Sequence, residues 1–383
     1  MCNLRTVLLA AAVGLFSSYA AELPKGRIID RVVCTGDDRQ SYALYLPPAY
    51  SPDRPWPILY CLDPLARGRI PVERFAKAAG AAGWIVAGSN NSRNAAPRES
   101  RDAIVSIVRD THERFAIDND HVYVAGFSGG ARLALAWARN GRIAGVVASG
   151  AAFGGPVPMD ATFPVYGTAA TDDFNFDEVY AMCVTLSRRG VPQHFAEWNG
   201  GHDWLPESLA GEAIDFLSGR LKPEPPPALT SIQSKTAERY QLLTAVMQRS
   251  DDDERRQLIE SLHRDQDLPE DGPKRRAARR VLAGTFIGAI EQGRARLAEQ
   301  KYADAAAAWS LALMIQPNNP EANYGLAVAS AGLRDKRRAI EALGRAIANG
   351  FHDGARIDAE PAFNPFRADA GFTAVRQSIK PNC

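Results

Sequence analysis

Val122-Tyr123-Val124-Ala125-Gly126-Phe127-Ser128-Gly129-Gly130 is an apolar run that closes in Gly-x-Ser-x-Gly. A helix-forming run, residues 131–139, follows at once. Strand, sharp turn and helix in that order are what a nucleophile elbow requires, because the turn lifts a serine hydroxyl above the end of the strand. Small residues at 126, 129 and 130 let the backbone crowd there. The helix start behind Ser128 offers N–H groups without intrahelical partners and the positive end of a dipole. In a chain with 31 glycines the five-residue motif is weak by itself. The strand before it and the helix after it give it weight against the plainer reading, a glycine turn with an incidental serine.

Outward from the elbow, strands alternate with helices. Residues 27–34 and 40–46 read as two strands joined as a hairpin through Gly36-Asp37-Asp38. Prolines at 47, 48, 52, 55 and 57 mark a loop. Residues 57–62 form a near-continuous apolar run, as expected of a strand buried on both faces. A helical pattern through Val72, Phe75, Ala76 and Ala79 ends at Gly80 and Gly83. A strand over 84–87 and a helix over 101–115 follow. Beyond the elbow, residues 143–148, 163–166 and 194–197 are candidate strands, with helices near 176–189 and 205–221. This alternation predicts the α/β class, with a mostly parallel sheet covered on both faces.

A serine hydroxyl is a poor nucleophile at neutral pH and needs a base, itself oriented by a third group. The chain has six histidines. Of these only His202 falls in a glycine-rich loop after the last candidate strand, Asn199-Gly200-Gly201-His202-Asp203-Trp204, and downstream of the serine. The acid is expected from the loop after the 163–166 strand, where Asp172 and Asp173 adjoin. Asp173 is preferred because Asp-Phe-Asn leads into the next helix; Asp172 is the alternative, and the other of the two caps that helix. A developing oxyanion needs two donors. One is the N–H of Gly129, after the nucleophile. The other is expected from the loop Asp63-Pro64-Leu65-Ala66-Arg67-Gly68, where Pro64 has no N–H and Leu65 is the candidate. Asp63 would stiffen that turn locally. Asn90, Asn91 and Arg93 follow the 84–87 strand at the same sheet edge and are candidate substrate-binding residues, against the plainer reading of an ordinary Asn/Ser turn.

The composition sets bounds. With 383 residues, two domains are expected. Lys plus Arg number 45 and Asp plus Glu 44, a balance that argues against nucleic acid or an anionic membrane as the main partner. Arg5, the apolar run 6–16 and Ser18-Tyr19-Ala20 have the form of a secretory signal, residues 1–20, with a core too short to span a bilayer. This predicts a periplasmic or secreted protein with no membrane span after cleavage. Cys34, Cys61, Cys183 and Cys383 would remain, in a compartment that permits disulfides. Their spacing names no pairing, and Cys61, inside an apolar strand, reads as a buried thiol. No Cys/His spacing suggests a metal, and no cofactor is expected.

Lys222-Pro223-Glu224-Pro225-Pro226-Pro227 reads as a linker, residues 222–228, between a first domain at 25–221 and a helical domain at 229–383. One constant shift aligns Ala305, Ala308, Trp309, Ala312 and Leu313 with Ala339, Ala342, Leu343, Ala346 and Ile347. That shift is the tetratricopeptide period, here over about 286–353, and it predicts an all-α domain whose repeats take a protein partner. The plainer reading is a helical bundle with alanines in chance register.

Gly-Phe-Ser-Gly-Gly, the loop Gly167-Thr-Ala-Ala-Thr-Asp-Asp-Phe-Asn175 and Gly-Gly-His-Asp-Trp together resemble secreted bacterial α/β-hydrolases of the dienelactone-hydrolase, feruloyl-esterase and polyhydroxyalkanoate-depolymerase kinds, over roughly residues 25–220. Two paired strands followed by six in alternation also match the strand count of an α/β-hydrolase sheet. The resemblance implies Ser128 as nucleophile, His202 as base and Asp173 as acid. It departs from many esterases in carrying Leu-Asp-Pro where a His-Gly oxyanion loop is usual. The expected activity is hydrolysis of carboxylic esters through an acyl-enzyme. Only Ser149 to Thr162 intervene between the 143–148 and 163–166 strands, which leaves no room for a large cap, so exposed or polymer-borne esters are the expected substrates. The rival readings are a peptidase or amidase of the same fold, and a partner-binding module with a residual hydrolase site.

Overall fold

The computed structural model describes residues 23–94 and 97–379. The expected signal segment, Cys2 and Cys383 lie outside the described residues. The chain divides after Ala228 into two compact units.

The first unit is built on one eight-stranded sheet. In chain order its elements are β1 (Ile28–Cys34), β2 (Asp37–Tyr45), β3 (Trp56–Leu62), α1 (Arg69–Ala82), β4 (Ile85–Ser89), α2 (Pro97–Arg114), β5 (Ile117–Phe127), α3 (Gly129–Asn140), β6 (Gly145–Ser149), β7 (Val165–Ala170), α4 (Phe176–Arg188), β8 (Gln193–Trp198) and α5 (Glu207–Leu217). The spatial order is β1-β2-β4-β3-β5-β6-β7-β8, and β2 alone runs against the rest. This is the α/β-hydrolase architecture expected from the strand count. Side chains alternate between two faces, and both are covered, so β4, β6 and β7 are buried throughout. Ala43, Leu59, Cys61, Val86, Tyr123, Ala125 and Val147 share one face with Val72 and Phe75 of α1 and Ala213 and Ile214 of α5. Tyr42 and Tyr60 reach the opposite face, where their hydroxyls meet Asp110 and Thr111 of α2.

β7 runs past its expected end at Tyr166, to Ala170. Gly167, Thr168, Ala169 and Ala170 have low strand propensity, but they lie between β6 and β8 and are all buried. Packing against α4 overrides local preference here. The consequence is functional: Asp172 and Asp173 leave the sheet at once instead of sitting deep in a loop.

The elbow is tight. Ser128 has φ 52° and ψ −123°, between the end of β5 and the start of α3. Its N–H donates to Ser149 O at 2.9 Å, and its carbonyl accepts from Ala131 and Arg132 to begin the helix. A Cβ on Gly126 would lie 2.1 Å from Gly130 O, and one on Gly130 would lie 2.0 Å from Leu62 O. Both obstacles are backbone and cannot swing aside. Gly130→Ala is therefore expected to destabilise the first unit by at least about 3 kcal/mol, which lowers Tm by about 6–12 °C. Thermal unfolding followed by circular dichroism checks this; an unchanged Tm would contradict the geometry.

Cys34, Cys61 and Cys183 are free and buried. Burial, with Asp110 beside it, pushes the Cys34 thiol up to about 12, and burial pushes Cys183 to about 12 as well. These three are inert core thiols rather than disulfide partners of one another.

The second unit is helical: α6 (Ser231–Arg249), α7 (Asp252–Gln266), α8 (Pro273–Ala298), α9 (Tyr302–Ile315), α10 (Pro320–Gly332), α11 (Lys336–Ala348), α12 (Gly354–Ala359) and α13 (Ala370–Gln377), with a 3-10 turn at Pro361–Phe366. Thr230 and Gln233 close a capping box at the start of α6. Asn319 caps α10. Met247, Ile259, Leu262, Val281 and Leu282 make one core among α6, α7 and α8. Trp309 and the alanines 305, 312, 339, 342 and 346 belong to a second. The starts of α9 and α10, Tyr302 and Pro320, recur one sequence period later as the starts of α11 and α12, Lys336 and Gly354. Alanine at the matched positions lets helix backbones approach closely. No described helix is long and apolar enough to cross a membrane.

Candidate active site

Three loops at the carboxyl ends of β5, β7 and β8 meet. β5 ends in the elbow, so Ser128 Oγ stands clear of α3, whose start it does not cap with its side chain. β8 ends at Trp198 and the Gly-Gly-His loop follows. His202 Nε2 lies 2.9 Å from Ser128 Oγ, and His202 Nδ1 lies 2.9 Å from Asp173 Oδ1. With the Nδ1 proton assigned toward the carboxylate, Nε2 is left to accept the serine proton. The imidazole is held between Phe127 and Phe174, with ring centroids 4.6 and 4.3 Å away. Its side chain is 9% exposed, and that of Asp173 is 1% exposed.

Asp173 is fixed from several sides. Its Oδ1 also accepts the Asn175 N–H at 2.8 Å, and its own N–H donates to Ala170 O. Oδ2 is buried with no partner among the described residues. It faces Gly150, where a Cβ would come within 2.9 Å of it. Asp172 plays a different part: its backbone N–H donates to Gly200 O at 2.9 Å and ties the acid loop to the histidine loop. Between the two aspartates, the one in contact with His202 is Asp173. Asp203 is 58% exposed and faces Arg74 instead. Of the other described histidines, His112 bonds Val108 and Asn119, His121 bonds Asp118, His194 pairs with Glu212 and His263 meets Gln266, while His352 is exposed in the second unit.

Leu65, Asn90, Asn91 and Arg93 are placed otherwise than expected. The Leu65 N–H donates to Asp63 Oδ1 at 2.8 Å, so that amide is committed to its own turn and does not face an oxyanion. The Ala66 and Arg67 amides also turn back on Asp63. Asn90 donates to Asp30 O, and Asn91 joins Ser41 N–H to Arg39 O, so both carboxamides fasten their loop to the β1–β2 hairpin. Arg93 is exposed, but it opens on a cleft of about 460 Å³ shared with Arg39, Asp102 and Arg109, and none of Ser128, Gly129 and His202 lines that cleft. The Asn90 and Asn91 carboxamides thus match the plainer reading, an ordinary turn, while Arg93 lies on a cleft apart from Ser128.

Two neighbours of the site are not marked as such by the sequence. Asn94 N–H donates to Pro64 O, which joins the loops after β3 and β4. Its carboxamide lies against Gly129, where a Cβ would come within 1.7 Å of Oδ1. A side chain at position 129 would therefore displace that carboxamide. The second neighbour, Asp63, is fully buried and accepts Trp204 Nε1–H at 2.8 Å.

No protein-family model matches the sequence, and no curated protein matches it. Solved structures give partial likenesses. A ferulic acid esterase superposes with a TM-score of 0.43 at 17% identity, over 51% of this chain and 98% of its own. S-formylglutathione hydrolase FrmB from Staphylococcus aureus gives 0.40 at 15% identity, over 51% and 98%. Est1E from Butyrivibrio proteoclasticus gives 0.39 at 12%, over 49% and 98%.

Proposed function

We propose that the first unit is a serine hydrolase acting on carboxylic esters. The observation that carries this reading is the unbroken chain Ser128 Oγ, His202 Nε2, His202 Nδ1, Asp173 Oδ1, with 2.9 Å at each step. In this mechanism Ser128 attacks the ester carbonyl while His202 takes its proton. Asp173 holds the tautomer and stabilises the imidazolium. The Gly129 N–H, at the start of α3, donates to the oxyanion. Collapse of the tetrahedral intermediate breaks the C–O bond, and His202 protonates the departing alkoxide. Water activated by the same imidazole then releases the acid and restores Ser128.

Residues 150–164, between β6 and β7, carry no helix or strand. An open site of this kind suits short or polymer-borne acyl groups better than free triglyceride. Matched 4-nitrophenyl esters and 4-nitroanilides, together with a long-chain triglyceride emulsion, test this. The expected result is fast turnover of acetyl and butyryl esters and slow turnover of the other two. Preferred cleavage of the anilide would instead make the protein an amidase, and preferred cleavage of the triglyceride would exclude an open short-acyl site.

The signal-like pattern of residues 1–20 supports a periplasmic or secreted location. The recurrence of two helix starts at the tetratricopeptide period supports repeats of that kind in the second unit, with a protein as their ligand.

A further inference from the structure

Asp63 is a carboxylate with no solvent exposure, and such a group is retained only when its lone pairs are filled. Most of its partners are local. Oδ1 accepts from the Leu65 N–H at 2.8 Å and from Arg67 Nε at 2.9 Å, and Oδ2 accepts from Arg67 Nη2 at 3.0 Å. These would make an ordinary stiffened turn and would not require burial. The remaining donor is distant: Trp204 Nε1–H reaches Oδ2 at 2.8 Å from 141 residues away. Trp204 is 1% exposed and follows His202 by two positions. Its ring lies 5.8 Å from that of Phe127, and Phe127 lies 4.6 Å from the imidazole. Leu205 N–H, next along, donates to Ser149 Oγ at 3.2 Å. The histidine loop is thus pinned just after His202, and Asp63 is the charged end of the pin.

We propose that Asp63 is a positioning residue for His202, acting through Trp204: one buried carboxylate fastens the loop after β3 to the loop that carries the base. The proposal rests on the serine-hydrolase reading above. Asp63 touches no reacting atom. Its work is to keep Nε2 at hydrogen-bond distance from Ser128 Oγ, where a shift of about 1 Å costs on the order of 10²-fold in rate. A charge-assisted acceptor is the stronger choice for such a pin than a neutral one.

Trp204→Phe keeps an aromatic ring against Phe127 and removes the N–H. In the full-length protein, kcat and KM for a 4-nitrophenyl ester are measured per active site, titrated with a fluorophosphonate, alongside Tm. Trp204→Phe is expected to lower kcat per titrated site by about 10–100-fold with KM little changed; loss of a buried hydrogen bond to a charged acceptor also lowers Tm, so the positioning role is read from kcat per titrated site. In a double-mutant cycle, adding Trp204→Phe to Asp63→Asn is expected to cost less than it does alone, because Asp63→Asn replaces the charged acceptor of that bond with a neutral carboxamide and Trp204→Phe removes its donor, so both act on the same link. A role in stability alone would lower Tm and leave kcat per titrated site intact. Full kcat per site in Trp204→Phe, or losses that multiply in the double variant, would overturn the positioning role. If Asp63→Asn does not fold, Trp204→Phe alone still decides. A wild-type protein that takes no fluorophosphonate would overturn the serine-hydrolase reading itself, a result distinct from a labelled wild type with an equally active Trp204→Phe.

Discussion

Ser128→Ala and His202→Ala are each expected to lower kcat by about 10⁶-fold, and the double variant to lower it no further. Oγ and Nε2 stand 2.9 Å apart, so in the proposed mechanism nucleophile and base act as one unit. Without the imidazole, the serine proton has no acceptor in place and the hydroxyl reverts to a poor nucleophile. Without the hydroxyl, the imidazole has nothing to activate except water, at a site shaped for Oγ. Some acceleration over water would persist through the Gly129 N–H and substrate binding. Steady-state assays of the three variants check this. Losses that multiply would mean that the two residues act in separate steps.

Asp173→Asn is expected to lower kcat by about 10⁴-fold, while Asp172→Asn changes it little. The carboxamide can present its NH₂ to His202 Nδ1. That favours the tautomer with the proton on Nε2, which cannot accept from serine. The buried Oδ2 side, facing Gly150, leaves little room for the group to adapt. Asp172 joins the two loops through its backbone N–H, bonded to Gly200 O, and that bond survives a side-chain change. Because both aspartates sit in one short loop, the pair of variants compares two neighbours with the same fold context. A larger loss in Asp172→Asn would reverse the assignment.

How much of this can be read from the chain depends on how local each feature is. The elbow is contiguous, so strand, turn and helix are visible around Ser128. His202 is visible because its glycine-rich loop follows the last strand. The helix after Asp173 favours it over Asp172, but its contact with Nδ1 depends on β7 running to Ala170, which propensity alone conceals behind Gly167, Ala169 and Ala170. Leu65, Asn90 and Asn91 mislead for one reason. A polar or amide group at the right sheet edge reads as facing substrate, whereas Asp63, Asp30, Ser41 and Arg39 have prior claim on it. The bond from Trp204 to Asp63 joins residues 141 apart and leaves no local pattern. The one hint is an aspartate closing an apolar strand just before a proline.

The most direct measurement is the site of fluorophosphonate modification in the full-length protein, read by peptide mass spectrometry with and without Ser128→Ala. The expected result is a single adduct on Ser128, absent from Ser128→Ala and formed far more slowly in His202→Ala. No adduct on the wild-type protein, or an adduct that persists in Ser128→Ala, would contradict a mechanism centred on Ser128.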